Sequence, residues 1–186
     1  PISSSSHLII MSNSLNFNEQ SLSIDVSLHI GSFIAVIFYF YNEIINFFDN
    51  KILFLKIFAS SIPAMIIGFI LVKFGLIELI RNIEIIAWMT ILFGILLFIS
   101  DKFELKNEIK SDFTYKSAII IGLFQILSLI PGVSRSGITI TAARLLNFKR
   151  VDAAKISFLL SIPILGAVSI FGLYSIFFSN NIEIAK

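Results

Sequence analysis

The stretch SAIIIGLFQILSLIPGVSRSGIT, residues 117–139, decides the fold of this chain. Residues 117–130 are mainly apolar, but a Pro-Gly pair ends the segment before it is long enough to cross a hydrocarbon core of about 30 Å. Another short apolar piece, residues 138–146, follows a polar Ser-Arg-Ser run. Irregular backbone is tolerated at membrane depth only where it lines a protein or water cavity. The stretch therefore predicts a re-entrant helix hairpin.

The composition places the whole chain in a membrane. Of its 186 residues, 56% are hydrophobic and 14% are charged, and the mean hydropathy is +0.93. A soluble domain is about 45–50% apolar and about 25% charged. A net charge of +2 with no stripe of Lys and Arg excludes a nucleic-acid binder, and the lack of Cys excludes a disulfide scaffold or a thiolate zinc site. We therefore predict an all-α, polytopic integral membrane protein.

Apolar segments of spanning length flank the hairpin. The predicted spans are residues 26–48, 52–74, 83–100 and 156–178. We expect a kink at Pro63, inside the second span. The link 144–155 is rich in Lys and Arg, which places it in the cytoplasm by the positive-inside rule. The hairpin tip is then expected to point to the extracytoplasmic side.

The chain is interpreted as a single membrane domain, residues 1–186, that contains an internal repeat. Pro-x-x-Ser-x-Ser occurs at residues 1–6 and again at residues 131–136. Repeated broken helices indicate a site near the membrane midplane, with chance pairing in a Ser-rich sequence as the alternative. Residues 1–50 are predicted to be the end of the first hairpin with its following helix, and residues 51–100 to be two membrane spans. Residues 101–116 are predicted to be a solvated polar loop, and residues 117–186 the second re-entrant hairpin with its following span.

The strongest candidate site surrounds Arg135. An Arg at membrane depth is costly unless it faces a partner, and its planar guanidinium suits phosphate oxygens. Glycines allow close backbone approach, and hydroxyls surround a helix start whose free amides favour an anion. The alternative is a membrane-surface loop with an ordinary exposed Arg. The predicted substrate-binding residues are Gly132, Ser134, Ser136, Gly137 and Thr139.

A second candidate lies at residues 1–7, PISSSSH. On a turn or helix start Ser4 and His7 can face each other, which is the minimum for a hydroxyl nucleophile with a general base. A Ser run near a terminus is otherwise solvated, capping a helix or disordered. Three more polar residues lie inside predicted helices and are candidates to line a cavity: Asp25, His29 and Gln125. For His29 the alternative is an interhelical hydrogen bond.

These motifs resemble the undecaprenyl-diphosphate phosphatase family of the bacitracin-resistance type. The resemblance covers nearly the whole chain. Its motifs are IPGVSRSGIT at 130–139 preceded by Gly122-x-x-Gln125, PISSSSHL at 1–8, LHIG at 28–31 and SFLLSIP at 157–163. It implies a membrane enzyme with inverted repeats and re-entrant helices. Such an enzyme removes the terminal phosphate of undecaprenyl diphosphate, recycles the lipid carrier for peptidoglycan synthesis and confers bacitracin resistance.

Residue by residue, the resemblance makes Ser4 the nucleophile, His7 the general acid/base and Arg135 the diphosphate-binding residue. Ser3 joins the substrate-binding set. The chain has Ser6 where the family usually has Gly, and the family's acidic motif falls before the first residue. The resemblance therefore implies that Glu residues upstream of this chain hold a divalent cation, Mg or Ca. The chain is expected to be a fragment lacking both ends and to be inactive alone.

In the expected mechanism Arg135 neutralises phosphoryl oxygens while Ser4, or a water in its place, attacks the terminal phosphorus with His7 as base. The expected partners are a polyprenyl diphosphate lipid and the membrane, with a homodimer and no nucleic acid. The expected location is the bacterial inner membrane, multi-pass, with the active site on the extracytoplasmic side. The alternative function is a polyprenyl-phosphate transporter or flippase, since broken helices are also transporter architecture.

Overall fold

A computed structural model describes residues 22–42, 44–45, 51–74, 82–102 and 106–178. Within these ranges every regular element is helical, apart from an isolated bridge between Asn107 and Phe148. This confirms the all-α class. The first copy of the predicted repeat, with Ser3, Ser4 and His7, lies outside the described residues, so the inverted repeat stays a prediction.

The helices follow the chain with short connections. They are α1 (Leu22–Tyr39), α2 (Lys51–Lys73), α3 (Ile83–Ser100), α4 (Ile109–Asp112), α5 (Tyr115–Ile126), a 3₁₀ turn (Leu127–Leu129), α6 (Arg135–Leu145) and α7 (Arg150–Phe178). Among the described residues α2, α3 and α7 are long and apolar enough to cross a membrane. Together with the apolar α1, they confirm a polytopic membrane protein.

Several boundaries differ from the sequence predictions. Helix α1 begins at Leu22, before the predicted start of its span at residue 26, and α7 begins at Arg150 rather than at residue 156. Residues 41–42 and 44–45, beyond a turn at Phe40, are also helical, and the predicted end of the first span at residue 48 lies outside the described residues. Apolar composition marks where a helix meets lipid, whereas hydrogen bonding continues into polar residues beyond the lipid. Helix α2 runs through Pro63, and the kink expected there stays a prediction.

The segment predicted as a polar loop, residues 101–116, carries more structure than its charge indicated. Within it α4 buries Ile109, and Phe113 is only 3% exposed. The ring of Phe113 packs edge-on against that of Phe148, with 6.1 Å between the ring centroids. Through these apolar contacts the segment packs against the residues just before α7. It therefore lies against the protein rather than in free solvent.

The helices α5 and α6 form the re-entrant hairpin, and α2 and α7 hold it. Gly122 of α5 lies so close to α2 that an added Cβ would be 2.1 Å from the Ser60 carbonyl oxygen. On the other side, α6 packs against α7, where the hydroxyl oxygens of Thr139 and Ser157 lie 2.7 Å apart. The hairpin is thus fixed between two membrane-spanning helices, and its tip is the place where the candidate site forms.

Candidate active site

Helix α3 fixes the depth of the hairpin tip. The Thr90 hydroxyl is shared between two carbonyl oxygens, that of Ile86 on its own helix at 2.7 Å and that of Gly132 at 3.1 Å. Gly132 also packs against Ile86. Helix α3 ends at Asp101, among the charged residues at the opposite end of the hairpin. The rise of an α-helix puts Ile86 about 22 Å from Asp101. The tip therefore lies most of the length of α3 away from this charged end.

Gly132 makes the tight turn at the tip possible. Its φ is +96°, and a Cβ at this position would lie 2.5 Å from the carbonyl oxygen of Ile86. Both the backbone conformation and the close approach exclude a side chain. The close backbone approach of Gly132 is thus to α3, and its predicted part in substrate binding stays a prediction.

Three residues build the start of α6. Ser134 is the N-cap, and its hydroxyl accepts a hydrogen bond from the backbone N–H of Gly137 at 3.2 Å. The hydroxyl oxygens of Ser134 and Ser136 lie 3.3 Å apart. Both serines are half-buried, so their hydroxyls face the same small region. Free backbone N–H groups and hydroxyls at a helix start form a site that favours an anion.

Arg135 stands at the same helix start. Arg135 is half-buried. Within the described part of the chain its guanidinium has no ion pair and no hydrogen bond. A cation at the N-terminus of a helix also faces the positive end of the helix dipole. Each feature disfavours Arg135 unless an anion binds beside it. The arrangement is thus suited to a phosphate group.

Comparisons with known proteins show the family of this chain. The family model described as bacitracin resistance protein BacA matches residues 1–185. The chain belongs to the BacA family. It is 50% identical over 171 residues to a protein of Pelagibacter ubique (strain HTCC1062) named undecaprenyl-diphosphatase, covering 91% of this chain and 67% of that relative.

Two further relatives carry the same name. The protein of Geotalea daltonii (strain DSM 22248 / JCM 15807 / FRC-32) is 44% identical over 188 residues, covering 93% of this chain and 69% of the relative. That of Roseobacter denitrificans (strain ATCC 33942 / OCh 114) is 41% identical over 176 residues, covering 88% and 66%. This BacA-family chain thus spans about two thirds of the length of these relatives.

The remaining predicted site residues fall into two groups. In this BacA-family chain Thr139 is 1% exposed, and its hydroxyl lies 2.7 Å from that of Ser157 on α7. Thr139 therefore ties α6 to α7, and Gly137 is buried behind the N-cap. Ser3, Ser4 and His7 lie outside the described residues, so their roles stay predictions.

Sequence reasoning missed two residues that position the site. Thr90 holds the carbonyl of Gly132, yet a single Thr inside an apolar span carries no signal of that contact. Ser157 anchors Thr139 and also lies 3.5 Å from the carbonyl oxygen of Ser136. It stands within the SFLLSIP motif, where its position opposite α6 is decided only by packing.

The described ranges do not supply a metal site. No group of three or more His, Cys, Asp or Glu side chains comes together in them.

Proposed function

We propose that this BacA-family chain provides the phosphate-binding half of an undecaprenyl-diphosphate phosphatase. In this reaction the terminal phosphate leaves and the monophosphate lipid carrier returns to peptidoglycan synthesis. The observation that carries the proposal is the unpaired Arg135 at the start of a re-entrant helix. The name undecaprenyl-diphosphatase, shared by the relatives, supports the same substrate.

The proposed binding mode uses groups at one helix start. Arg135 offers two parallel N–H donors to phosphoryl oxygens, and the hydroxyls of Ser134 and Ser136 add further donors. The N-terminal backbone amides of α6 stabilise the same negative charge. In phosphoryl transfer catalysis is mostly positioning and charge stabilisation, which such an arrangement provides. The prenyl tail stays in the surrounding lipid.

The nucleophile belongs to the part of the proposal that rests on sequence. Ser4, or a water in its place, attacks the terminal phosphorus, and His7 accepts the proton. A divalent cation, Mg or Ca, held by Glu residues upstream of this chain, would help to neutralise the diphosphate. The nucleophile and the cation can both reach the diphosphate only if the first hairpin faces the tip of the second.

The orientation of the proposed site follows from charge. Basic residues dominate the end of the bundle opposite the hairpin tip, among them Lys102, Lys110, Lys116, Arg144, Lys149 and Arg150. The positive-inside rule favours the cytoplasm for this end. We therefore propose a bacterial inner-membrane protein whose phosphate site opens toward the extracytoplasmic side. A homodimer stays a prediction.

Phosphate release also separates this function from the transporter alternative, which nothing in the described residues or among the relatives favours. The experiment measures phosphate released from undecaprenyl diphosphate by the full-length protein in detergent. Arg135→Ala is expected to lower turnover about 100- to 1000-fold, since a preorganised charge contact is lost.

Two further variants sharpen this test. Arg135→Lys is expected to stay strongly impaired, because a point charge lacks the bidentate geometry. Arg150→Ala is the matched control: Arg150 is 72% exposed at the start of α7, at the charged end of the bundle, and its variant should retain turnover. Full activity of Arg135→Ala would remove Arg135 from the site, and a folded wild type that moves lipid but releases no phosphate would favour the transporter.

A further inference from the structure

Gln125 of α5 is a buried polar residue that the proposed mechanism does not use. Its side chain is 0% exposed, and neither its Nε2 nor its Oε1 has a hydrogen-bond partner in the described structure. A buried amide without a partner is unfavourable, and more so in a membrane, where water is scarce. Such a group needs an explanation other than packing.

Gln125 is the one polar residue among the buried residues of α5. Its neighbours on the buried face of α5 are small or apolar: Ala118, Ile121 and Gly122. A Met or Leu at position 125 would fill a similar volume without unpaired polar atoms. The choice of Gln therefore indicates a hydrogen-bonding partner that the described residues do not provide.

Contacts between the helices fix the depth of Gln125. Gly122 lies against the carbonyl oxygen of Ser60 on α2, and the neighbouring Ser61 hydroxyl is 3.5 Å from the carbonyl oxygen of Leu160 on α7. Gly122 and Leu160 are thus at about the same level of the membrane. Gln125 lies one helical turn, about 4.5 Å, closer to the hairpin tip.

The start of α6 lies within one helical turn, about 5 Å, of that level. Ser157 of α7 contacts both the Thr139 hydroxyl and the Ser136 carbonyl, and α6 runs antiparallel to α7. Leu160, one turn beyond Ser157, is therefore level with Ser136, and Arg135 lies slightly closer to the tip. Since α5 packs directly against α6, Gln125 lies beside the first turn of α6.

We propose that Gln125 is a further substrate-binding residue, whose carboxamide donates a hydrogen bond to the diphosphate held at the start of α6. The proposal rests on the proposed function, because it uses the same site. Three rotatable bonds allow the amide to turn toward an anion within one helical turn. The diphosphate then supplies the partner that the surrounding helices do not.

The test compares two substitutions in the full-length protein. Gln125→Met keeps the volume and removes the amide. Ser169→Ala is the matched control, because the Ser169 hydroxyl is also buried and unpaired but lies on α7, about 18 Å along the helix from Ser157. For each variant, thermal midpoint, kcat and KM for undecaprenyl diphosphate are measured in detergent.

We expect Gln125→Met to raise KM about 10- to 100-fold, as the loss of a hydrogen bond to a charged group does, with kcat changed much less and the thermal midpoint unchanged or higher. Ser169→Ala should keep the wild-type KM. An unchanged KM in Gln125→Met overturns the proposal. A lowered midpoint also overturns it, because the amide would then have a structural partner.

A separate readout distinguishes failure of the inference from failure of the proposed function. If the wild type releases no phosphate, the phosphatase proposal fails. Binding is then measured as the rise in the thermal midpoint of each protein on addition of undecaprenyl diphosphate. A midpoint raised by the lipid in the wild type but not in Gln125→Met supports Gln125 as a binding residue. Equal stabilisation of both, or of neither, overturns it.

Discussion

The two ends of α6 each carry an arginine, and the two differ in whether the guanidinium has partners in the described structure. Arg144, in the last turn, is 3% exposed and donates to the carbonyl oxygens of Asp101 and Phe148 at 2.8 and 3.2 Å. It also lies 3.0 Å from the Asp101 carboxylate, which Arg150 contacts at 2.6 Å. Arg135, in the first turn, has no such partner among the described residues.

The helix dipole strengthens this contrast. A cation near the C-terminus of a helix is favourable and one near the N-terminus is unfavourable. Arg144 therefore gains from its position, and it joins the ends of α3 and α6 to the start of α7. Arg135 is costly to the fold and is best explained by an anionic ligand. The comparison teaches that a satisfied charge on this helix stabilises the fold, whereas the unsatisfied charge supports the proposed phosphate-binding role.

Among the variants that change how the site is positioned, the largest expected effect comes from displacing the hairpin tip. Gly132→Ala forces a Cβ to within 2.5 Å of the Ile86 carbonyl oxygen on a backbone with φ +96°. The left-handed backbone alone costs about 1–2 kcal/mol, and displacing the tip by about 1 Å should lower turnover about 100-fold. Turnover and thermal midpoint check both effects.

Gly94→Ala is the matched control for this prediction. Gly94 lies in α3, and a Cβ there meets nothing within 4 Å. Its variant should be as stable as the wild type, or more stable by up to about 1 kcal/mol, since Ala favours a helix. Equal behaviour of the two glycine variants would show that the contact with Ile86 does not position the site.

A smaller effect is expected at the charged end. Arg144→Ala leaves the carbonyls of Asp101 and Phe148 without their donor, and should lower the free energy of unfolding by about 1–3 kcal/mol. Its KM should change little, whereas Arg135→Ala should lose turnover with no loss of stability. Denaturation in detergent and kinetics on the same preparations measure this contrast. A stable but inactive Arg144→Ala would contradict the division between the two ends.

The smallest expected effect is a dependence of stability on pH. The hydrogen bond from Arg150 holds the pKa of Asp101 below its usual value of 3.8, with Arg144 contributing. A carboxyl whose pKa is lowered by folding stabilises the protein fully above its unfolded pKa, and this contribution is lost as the pH falls through the folded pKa. The thermal midpoint should therefore fall below about pH 4. Asp101→Asn should show a shallower decline, and an equal decline would exclude Asp101 as a cause.

Much of the fold could be predicted from residue order. Long apolar segments predicted the spanning helices α2, α3 and α7, and the Pro-Gly break predicted a hairpin too short to cross. The polar run around Arg135 predicted a phosphate site for a stated physical reason, the cost of an unpaired cation at membrane depth. These features are local, so composition and spacing are enough to find them.

The sequence by itself thus determined the membrane class, the broken helix and the residues suited to phosphate, because each depends on apolar length or on the chemistry of neighbouring residues. Only the tertiary structure decided which polar residues are satisfied. It pairs Arg144 with Asp101 and Thr139 with Ser157, and it leaves Gln125 buried with no partner among the described residues. These outcomes depend on contacts between helices far apart in the chain, and hydrophobic pattern does not encode which polar groups those contacts bring together.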